Sequence, residues 1–385
     1  MQLGGKAPMS PNATTCAQMV RPVRNRTRGP RTATPYNDVM LLAGDVGGTK
    51  ALLGLFEPHQ RRPAPVATEE FATLEHDNFQ EILERFLRGH SVSADRIEAA
   101  SFGVAGAVTN QVAQLTNVPW CIDASDLAAR AHLRRVRLLN DLEAMAYGVP
   151  VLEGDELAML QEGERVPTGN IAVIAAGTGL GEGMLLNVDG QLVPGQSEGG
   201  HADFAARTPR ELEMVGALTP MLGRVSAEHI LSGPGVVNIY RFTHDVIDAP
   251  ENALSGDRLG SQEATIPRTC AAVGHVTDIA DLPRRISEAA LAGACERCVE
   301  TLELFISAYG AEAGNMGLRV VATAGVYIGG GIAPKILPLL RTGRFMEAFR
   351  AKAPLDHLVA KMPVAVILNK QSALLGAAVH ANQNR

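Results

Sequence analysis

Residues 39–56 have the sequence Val-Met-Leu-Leu-Ala-Gly-Asp-Val-Gly-Gly-Thr-Lys-Ala-Leu-Leu-Gly-Leu-Phe. In this stretch two apolar runs flank a turn of glycine, aspartate and threonine, a pattern typical of a β-hairpin with an open loop. Glycines leave the N–H groups of the loop unobstructed, and consecutive N–H groups form a concave site that suits phosphate. The stretch therefore predicts a strand pair whose loop binds an anionic group.

The same plan occurs again at residues 171–186, with the sequence Ile-Ala-Val-Ile-Ala-Ala-Gly-Thr-Gly-Leu-Gly-Glu-Gly-Met-Leu-Leu. A single glycine turn is weak evidence, but two of them, each opening a β-rich half, indicate a duplicated domain whose hairpins face each other across a cleft. Neither loop has the Lys-Ser/Thr ending of a P-loop, and neither leads from a strand into a helix as a dinucleotide fingerprint does. The pattern argues against P-loop kinases and Rossmann dehydrogenases.

Two further strand ends carry groups that suit a ligand. The strand-like residues 136–139 are followed by Asn140 and Asp141 and then by a helical pattern. Ligands bind at the carboxyl ends of strands in open α/β sheets, but either residue can also act only as a helix cap. The glycine cluster 329–331 follows another strand-like run and predicts a ligand-accessible helix N-terminus.

Polar side chains also concentrate among small residues in two loop segments. Glu198 and His201 lie on either side of two glycines, and Glu228 shortly precedes a Gly-Pro-Gly turn. Such a set supplies the donors and acceptors that a polyhydroxylated ligand requires, whereas its ligand spacing is poor for zinc. His201 can equally be a structural histidine, and Trp120 is interpreted as a packing anchor.

Length and charge limit the function classes. The chain has 385 residues, which suggests two or three domains, and a net charge of −6. Residues 1–37 hold six basic and no acidic side chains, so the rest holds 29 basic and 41 acidic ones, a net charge of −12. The acidic charge of residues 38–385 gives no reason to expect nucleic-acid or membrane partners. Because the sequence has no long uncharged apolar run, it predicts a soluble globular protein.

The leader and the cysteines suggest no further chemistry. Residues 1–37 show neither a helical nor an alternating pattern of apolar residues. We therefore expect a disordered basic leader, or a start codon assigned too far upstream, rather than a targeting peptide. Five cysteines, an odd number, disfavour a disulfide framework and favour a reducing compartment such as the cytoplasm. Cys295 and Cys298 share one face of a helical pattern, and we interpret them as core residues.

Seven motifs follow one another along the chain: Gly44-Asp45-Val46-Gly47-Gly48-Thr49, Leu115-Thr116-Asn117, Asn140-Asp141, Gly177-Thr178-Gly179-Leu180-Gly181, Glu198-Gly199-Gly200-His201, Ser232-Gly233-Pro234-Gly235 and Gly329-Gly330-Gly331-Ile332-Ala333-Pro334. In this order and spacing they resemble the motifs of bacterial glucokinases, which belong to the actin/sugar-kinase/Hsp70-like superfamily. The resemblance extends from about residue 39 to residue 380. It implies a two-lobed α/β actin-like (ribonuclease H-like) fold with the active site in a cleft between the lobes.

The resemblance also implies ligands and roles. ATP would phosphorylate the 6-hydroxyl of glucose, with Asp141 as the catalytic base and Mg²⁺ near Asp45. The residues expected to bind glucose are Asn117, Asn140, Asp141, Glu198, His201 and Glu228. The residues expected to bind the nucleotide are Gly44, Asp45, Gly47, Gly48, Thr49, Gly177, Thr178, Gly179, Gly330 and Gly331.

The implied architecture places residues 38–150 and 371–385 in a small lobe and residues 151–370 in a large lobe. Small residues in the two helices that would cross at the hinge suit close packing: Ala144, Ala146, Gly148, Ala373, Gly376, Ala377 and Ala378. The family suggests a homodimer. Lys50 departs from the asparagine of many members, and its charge either reaches a phosphate or faces solvent.

Two alternatives to this function remain open. One is a related kinase that uses another hexose, an N-acetylhexosamine, polyphosphate or ADP. The other is a sugar-sensing regulator that keeps the fold without the chemistry, for which the basic leader is the only support. The Cys-rich zinc motif of ROK sugar kinases is absent near His201, which favours the glucokinase branch.

Overall fold

The chain is built around two large sheets and one small sheet. The computed structural model describes residues 39–115, 118–195, 197–247 and 266–385, so the predictions for residues 1–37 and for Asn117 lie outside the described residues. The strands are β1 (Met40–Val46), β2 (Lys50–Glu57), β3 (Ala64–Ala72), β4 (Ile97–Val104), β5 (Val108–Thr109), β6 (Val112–Gln114), β7 (Cys121–Asp123), β8 (Val136–Asn140), β9 (Leu157–Gln161), β10 (Ile171–Ala176), β11 (Leu180–Val188), β12 (Gln191–Gly195), β13 (Gly325–Gly329) and β14 (Val364–Ile367).

The two large sheets repeat one topology. The first has the order β3-β2-β1-β4-β8, and the second has the order β12-β11-β10-β13-β14-β9. In each, a glycine hairpin starts an antiparallel meander, and its first strand also begins a parallel set, β1-β4-β8 or β10-β13-β14. Both predicted hairpins, the predicted duplication and the α/β class are therefore confirmed.

Helices cover the faces of these sheets. They are α1 (Phe79–Gly89), α2 (Ala124–Arg130), α3 (Asp141–Gly148), α4 (Pro209–Leu222), α5 (Gly233–Thr243), α6 (Leu282–Leu291), α7 (Glu296–Val320), α8 (Leu337–Leu340), α9 (Arg344–Arg350), α10 (Asp356–Val359) and α11 (Ser372–Gln383). Helix α1 shows why they form: Asn78 caps its first turn, and its apolar residues recur every three or four positions on the buried face. None of the described helices is long and apolar enough to cross a membrane.

Each large sheet carries its own apolar core, and the sequence interpretation of Trp120 is tested there. Trp120 is 5% exposed and belongs to the core that packs α1 against the first sheet. Its indole is therefore a packing anchor, as predicted. The second sheet packs against α5, α6 and α7, with Tyr240 and Tyr309 fully buried among them.

Helices α3 and α11 cross with their backbones in contact. A Cβ added at Gly376 would overlap the carbonyl oxygen of Ala144, and one added at Gly148 would lie 2.6 Å from the carbonyl oxygen of Ser372. The predicted close packing of small residues is therefore confirmed. The bounds of the two lobes, at residues 150 and 371, remain a prediction.

We expect Gly376→Ala to destabilise the protein by about 1–3 kcal/mol, because the added methyl group forces the two helices apart. The matched control is Gly216→Ala on the exposed face of α4, where a Cβ has no neighbour within 4 Å. That change should raise stability by roughly 0.5–1 kcal/mol through helix propensity. Urea unfolding measures both, and equal stability of the two variants would contradict the crossing.

The same contact buries a histidine. The His380 ring packs edge-on against Tyr147 with centroids 4.9 Å apart, and its Nδ1 shares a hydrogen bond of 2.8 Å with the Ser101 hydroxyl. Burial, together with the charge of Arg137, lowers the pKa of His380 to about 4. An unfolded histidine titrates near pH 6.5, so the unfolded chain binds a proton between pH 6.5 and 4 that the folded chain does not.

Stability should therefore fall as pH drops through that window, and His380 should contribute nothing above it. We expect the wild type to lose on the order of 3 kcal/mol more than His380→Asn between pH 6.5 and 4. The control His357→Asn replaces an exposed histidine and should keep the wild-type slope. The free energy of unfolding is measured in urea at several pH values. If it fell equally with pH for the wild type and for His380→Asn, His380 would not be buried in its neutral form.

Candidate active site

Three parallel strands bring two carboxylates to one edge of the first sheet. Asp45 on β1 is paired with Gly103 on β4, and Gly103 is paired with Leu139, the residue two before Asp141. A Cβ at Gly103 would lie 2.7 Å from the Cβ of Ala144 and 3.7 Å from the Cα of Asp141. Because Gly103 has no side chain, the first turn of α3 packs directly beside the end of β1.

Burial and neighbouring negative charges raise the pKa of both carboxyl groups at this edge. Burial raises the pKa of Asp45 to about 6, the negative charge of Asp141 adds to the rise, and Lys50 opposes it. Burial also raises the pKa of Asp141; the N–H of Leu142 opposes this, and Glu198 reinforces it. Shifted carboxyl groups that gather at strand ends are typical of functional sites.

The junction of β8 and α3 fixes the direction of Asp141. The side chain of Asn140 accepts a hydrogen bond from the N–H of Leu142 (2.9 Å) and donates one to the carbonyl oxygen of Gly106 (3.2 Å). Glu143 completes a capping box by accepting from the N–H of Asn140. Asn140 is therefore a helix cap, and Asp141 is the first residue of a rigid helix.

The first glycine loop is held by backbone contacts. The N–H of Gly47 donates to the carbonyl oxygen of Lys50 (2.9 Å), and the Thr73 hydroxyl donates to the carbonyl oxygen of Gly47 (3.1 Å). Gly48 is half-buried and Thr49 is exposed at the tip of the loop. The Lys50 ammonium pairs with Glu70 at 2.9 Å and its side chain is 63% exposed, so in this structure its charge lies at the solvent side.

The second glycine loop meets two other predicted segments. The N–H of Gly233, at the start of α5, donates to the carbonyl oxygen of Gly177 (2.8 Å). Gly330 has φ of +82°, and a Cβ there would overlap the carbonyl oxygen of Ala176. The 177–179 loop, the start of α5 and the 329–331 segment therefore form one continuous rim, with the Thr178 side chain exposed.

The predicted sugar-binding loop lies against this rim. Glu228 accepts a hydrogen bond from the N–H of Leu180 (2.8 Å), and its other carboxylate oxygen lies 3.8 Å from Nδ1 of His201. A Cβ at Gly199 would overlap the Glu182 carboxylate, and one at Gly200 would overlap the carbonyl oxygen of Leu180. The two glycines therefore bring Glu198 and His201 down onto β11.

The structure thus relates most of the predicted residues to one another. Asp45, Asp141 and Glu198 are electrostatic neighbours, Glu228 contacts His201, and the three glycine segments border these two groups. Helix α3 joins the two sides, because the side chain of Leu142 occupies the space over Gly181 on β11. Asn117 is outside the described residues.

Two buried carboxylates, Glu182 and Glu312, form a charge cluster with Arg319 beside the 198–201 loop, and this cluster was not predicted from the sequence. Burial raises the pKa of Glu182 to about 7, and the charge of Glu312 adds to the rise. Arg319 contacts both carboxylates, at 3.2 Å and 2.7 Å. The position of Glu182 between two strand glycines was the only signal, because Glu312 and Arg319 come from α7, far away in the sequence.

Comparisons with known proteins agree with this geometry. The family model described as Glucokinase matches residues 42–384. A protein named Glucokinase from Nostoc sp. (strain PCC 7120) is 38% identical over 348 residues, covering 89% of this chain and 98% of the Nostoc protein. One from Synechocystis sp. (strain PCC 6803) is 35% identical over 366 residues, covering 90% of this chain and 99% of that protein.

The solved structure of a glucokinase from an Antarctic psychrotroph has a TM-score of 0.75 and 26% identity, and covers 89% of this chain and 99% of that one. The similarity therefore spans both sheets, the α3–α11 crossing and every described segment of the site. The chain belongs to the glucokinase family.

Proposed function

We infer that this chain transfers the γ-phosphoryl group of ATP to the 6-hydroxyl of glucose. The observation that carries this inference is the position of Asp141 on a rigid helix start, beside Asp45 and between two glycine loops. Phosphoryl transfer needs an oriented hydroxyl, a carboxylate within reach and donors for the phosphate oxygens. The membership in the glucokinase family supports the same substrates.

Asp141 is the proposed catalytic base. Its carboxylate accepts the proton of the sugar hydroxyl as the oxygen attacks the γ-phosphorus, and the bond from phosphorus to the bridging oxygen of ADP breaks. Burial raises the pKa of Asp141, which makes its carboxylate a stronger base than that of an ordinary aspartate. The cap at Asn140 holds the helix start in place during this transfer.

The remaining predicted residues divide between the two substrates. The glucose hydroxyls would be bound by Asn117, Asn140, Glu198, His201 and Glu228. The proximity of Glu228 and His201, 3.8 Å apart, supports this assignment, because it brings two of the predicted side chains together. The phosphates would lie against the two loops that contain Gly44, Gly47, Gly48, Thr49, Gly177, Thr178 and Gly179, and the nucleoside beside Gly330 and Gly331.

Mg²⁺ is the proposed metal, with Asp45 as its protein contact. The residues fit such an ion, because Asp45 and Asp141 lie at one edge of the sheet and the charge of Asp141 raises the pKa of Asp45. Carboxylate oxygens are the ligands that Mg²⁺ prefers. When bound, Mg²⁺ neutralises charge on the phosphate oxygens.

Lobe closure, assembly and location complete the proposal. Residues 38–150 and 371–385 would move against residues 151–370 about the α3–α11 crossing, which would exclude water from the bound sugar. The backbone contact at Gly148 and Gly376 supports a pivot at this place. A homodimer is proposed on the family resemblance, and a cytoplasmic location on the odd number of cysteines.

The test is a panel of substrates with purified protein. ADP release is measured with glucose, mannose, fructose and N-acetylglucosamine, each with ATP, and glucose is also tried with polyphosphate and with ADP as donors. We expect glucose with ATP to give the highest kcat/KM. A preference for another sugar or donor would select a related kinase, and no turnover with any pair would overturn the proposal.

We expect Asp141→Asn to lower kcat by about 10²–10⁴-fold, because the amide cannot accept the hydroxyl proton. Glucose affinity, measured by calorimetry, should change far less, since the amide keeps the size and one acceptor of the carboxylate. The matched control Asp126→Asn removes an exposed carboxylate that pairs with Arg130. If Asp141→Asn kept the turnover of that control, Asp141 would not be the base.

A further inference from the structure

One histidine and three cysteines converge at a place that the proposed reaction does not use. His244 follows α5, Cys270 lies in the loop before α6, and Cys295 and Cys298 lie at the start of α7. Their ligand atoms all lie within 4.8 Å of one another. The sequence interpretation of Cys295 and Cys298 as core residues accounts for the burial of Cys298, but it missed the two partners.

The distances within this cluster match those of a tetrahedral site. Sγ of Cys270 lies 3.8 Å from Sγ of Cys298, and Nε2 of His244 lies 3.5 Å from Sγ of Cys295 and 3.8 Å from Sγ of Cys298. Zinc bonds of about 2.3 Å to sulfur and about 2.0–2.1 Å to nitrogen place two sulfurs about 3.8 Å apart, and sulfur and nitrogen about 3.6 Å apart. The four atoms are therefore spaced as ligands around one ion.

Outer contacts hold the ligands in this arrangement. Nδ1 of His244 lies 3.2 Å from the carbonyl oxygen of Tyr240, so a proton on Nδ1 leaves Nε2 free to bind a metal. The Tyr240 ring stacks on the imidazole with centroids 3.8 Å apart. The Tyr240 hydroxyl also accepts a hydrogen bond of 2.8 Å from the N–H of Cys270. One buried tyrosine thus positions two of the four ligands.

Two of the three sulfurs lie at the start of α7. Cys295 is the residue before the first helical turn, and no side chain caps that turn. Cys298 lies within that turn, so both sulfurs lie at the same end of the helix. A Cys-x-x-Cys pair at a helix start is therefore suited to bind a cation with a second pair of ligands.

We propose that His244, Cys270, Cys295 and Cys298 form a structural zinc site. Three thiolates and one imidazole select Zn²⁺ over Mg²⁺ or Ca²⁺, which prefer oxygen. Four protein ligands fill the tetrahedron and leave no position for a substrate, so the role is structural. The ion joins the end of α5, the segment around Cys270 and the start of α7.

The first test measures metal in the full-length chain, purified without chelators and without a histidine tag. We expect one zinc per chain by inductively coupled plasma mass spectrometry, and at least a tenfold lower zinc content in Cys270→Ser and in Cys295→Ser. The control Cys121→Ser changes a cysteine on β7, outside the cluster, and should keep its zinc. Wild-type protein without zinc that takes up none when Zn²⁺ is added would overturn the proposal, as would zinc retained in both cluster variants.

The second test does not depend on whether the variants fold. Wild-type protein stripped of metal under reducing conditions is titrated with Co²⁺, and a tetrahedral site with thiolates should give a thiolate-to-cobalt charge-transfer band and intense visible bands. Zn²⁺ should abolish these bands and raise Tm. A spectrum of octahedral Co²⁺, or a Cys270–Cys298 disulfide in the freshly purified protein, would contradict the zinc site.

Discussion

The backbone contact between α3 and α11 is the constraint on which the rest of the structure depends. Helix α3 begins at Asp141 and packs on both sheets, through Ala144 over Gly103 and through Leu142 over Gly181. Helix α11 can approach it only because position 376 has no side chain. The two halves of the site therefore have their spacing set by main-chain atoms, which deform less than side chains do.

This arrangement places acidic groups where the proposed function requires an anionic substrate to bind. The charge of Asp141 raises the pKa of Asp45 and the charge of Glu198 raises that of Asp141, and residues 38–385 carry a net charge of −12. In the proposed function the affinity for phosphate comes from the loop backbone and a cation, because Lys50 pairs with Glu70 on the surface. In this proposal the glycines of the two loops do more than leave space for the phosphates, because they also leave the polar backbone open to the negative charge.

The parts of the structure that the sequence predicted are those encoded locally. The hairpins, the Asn140-Asp141 junction and the small residues of the α3–α11 crossing follow from neighbouring residues, and the motif order indicated the family. The parts it missed depend on contacts between distant segments. The Glu182 cluster needs Arg319 from α7, and His244 meets Cys298 only after α5 packs on α7. Periodicity describes which face of one helix is buried, and it does not identify the partner.

The sugar loop has a consequence for attempts to redesign specificity. Gly199 and Gly200 rest on Glu182 and on the backbone of Leu180, so neither position has room for even a methyl group. The position of the 198–201 loop is therefore set by β11, and if this loop binds the sugar as proposed, larger residues at its centre cannot supply contacts to a different sugar. Directed evolution for another hexose should accept changes at residues that flank the two glycines and reject changes at the glycines themselves.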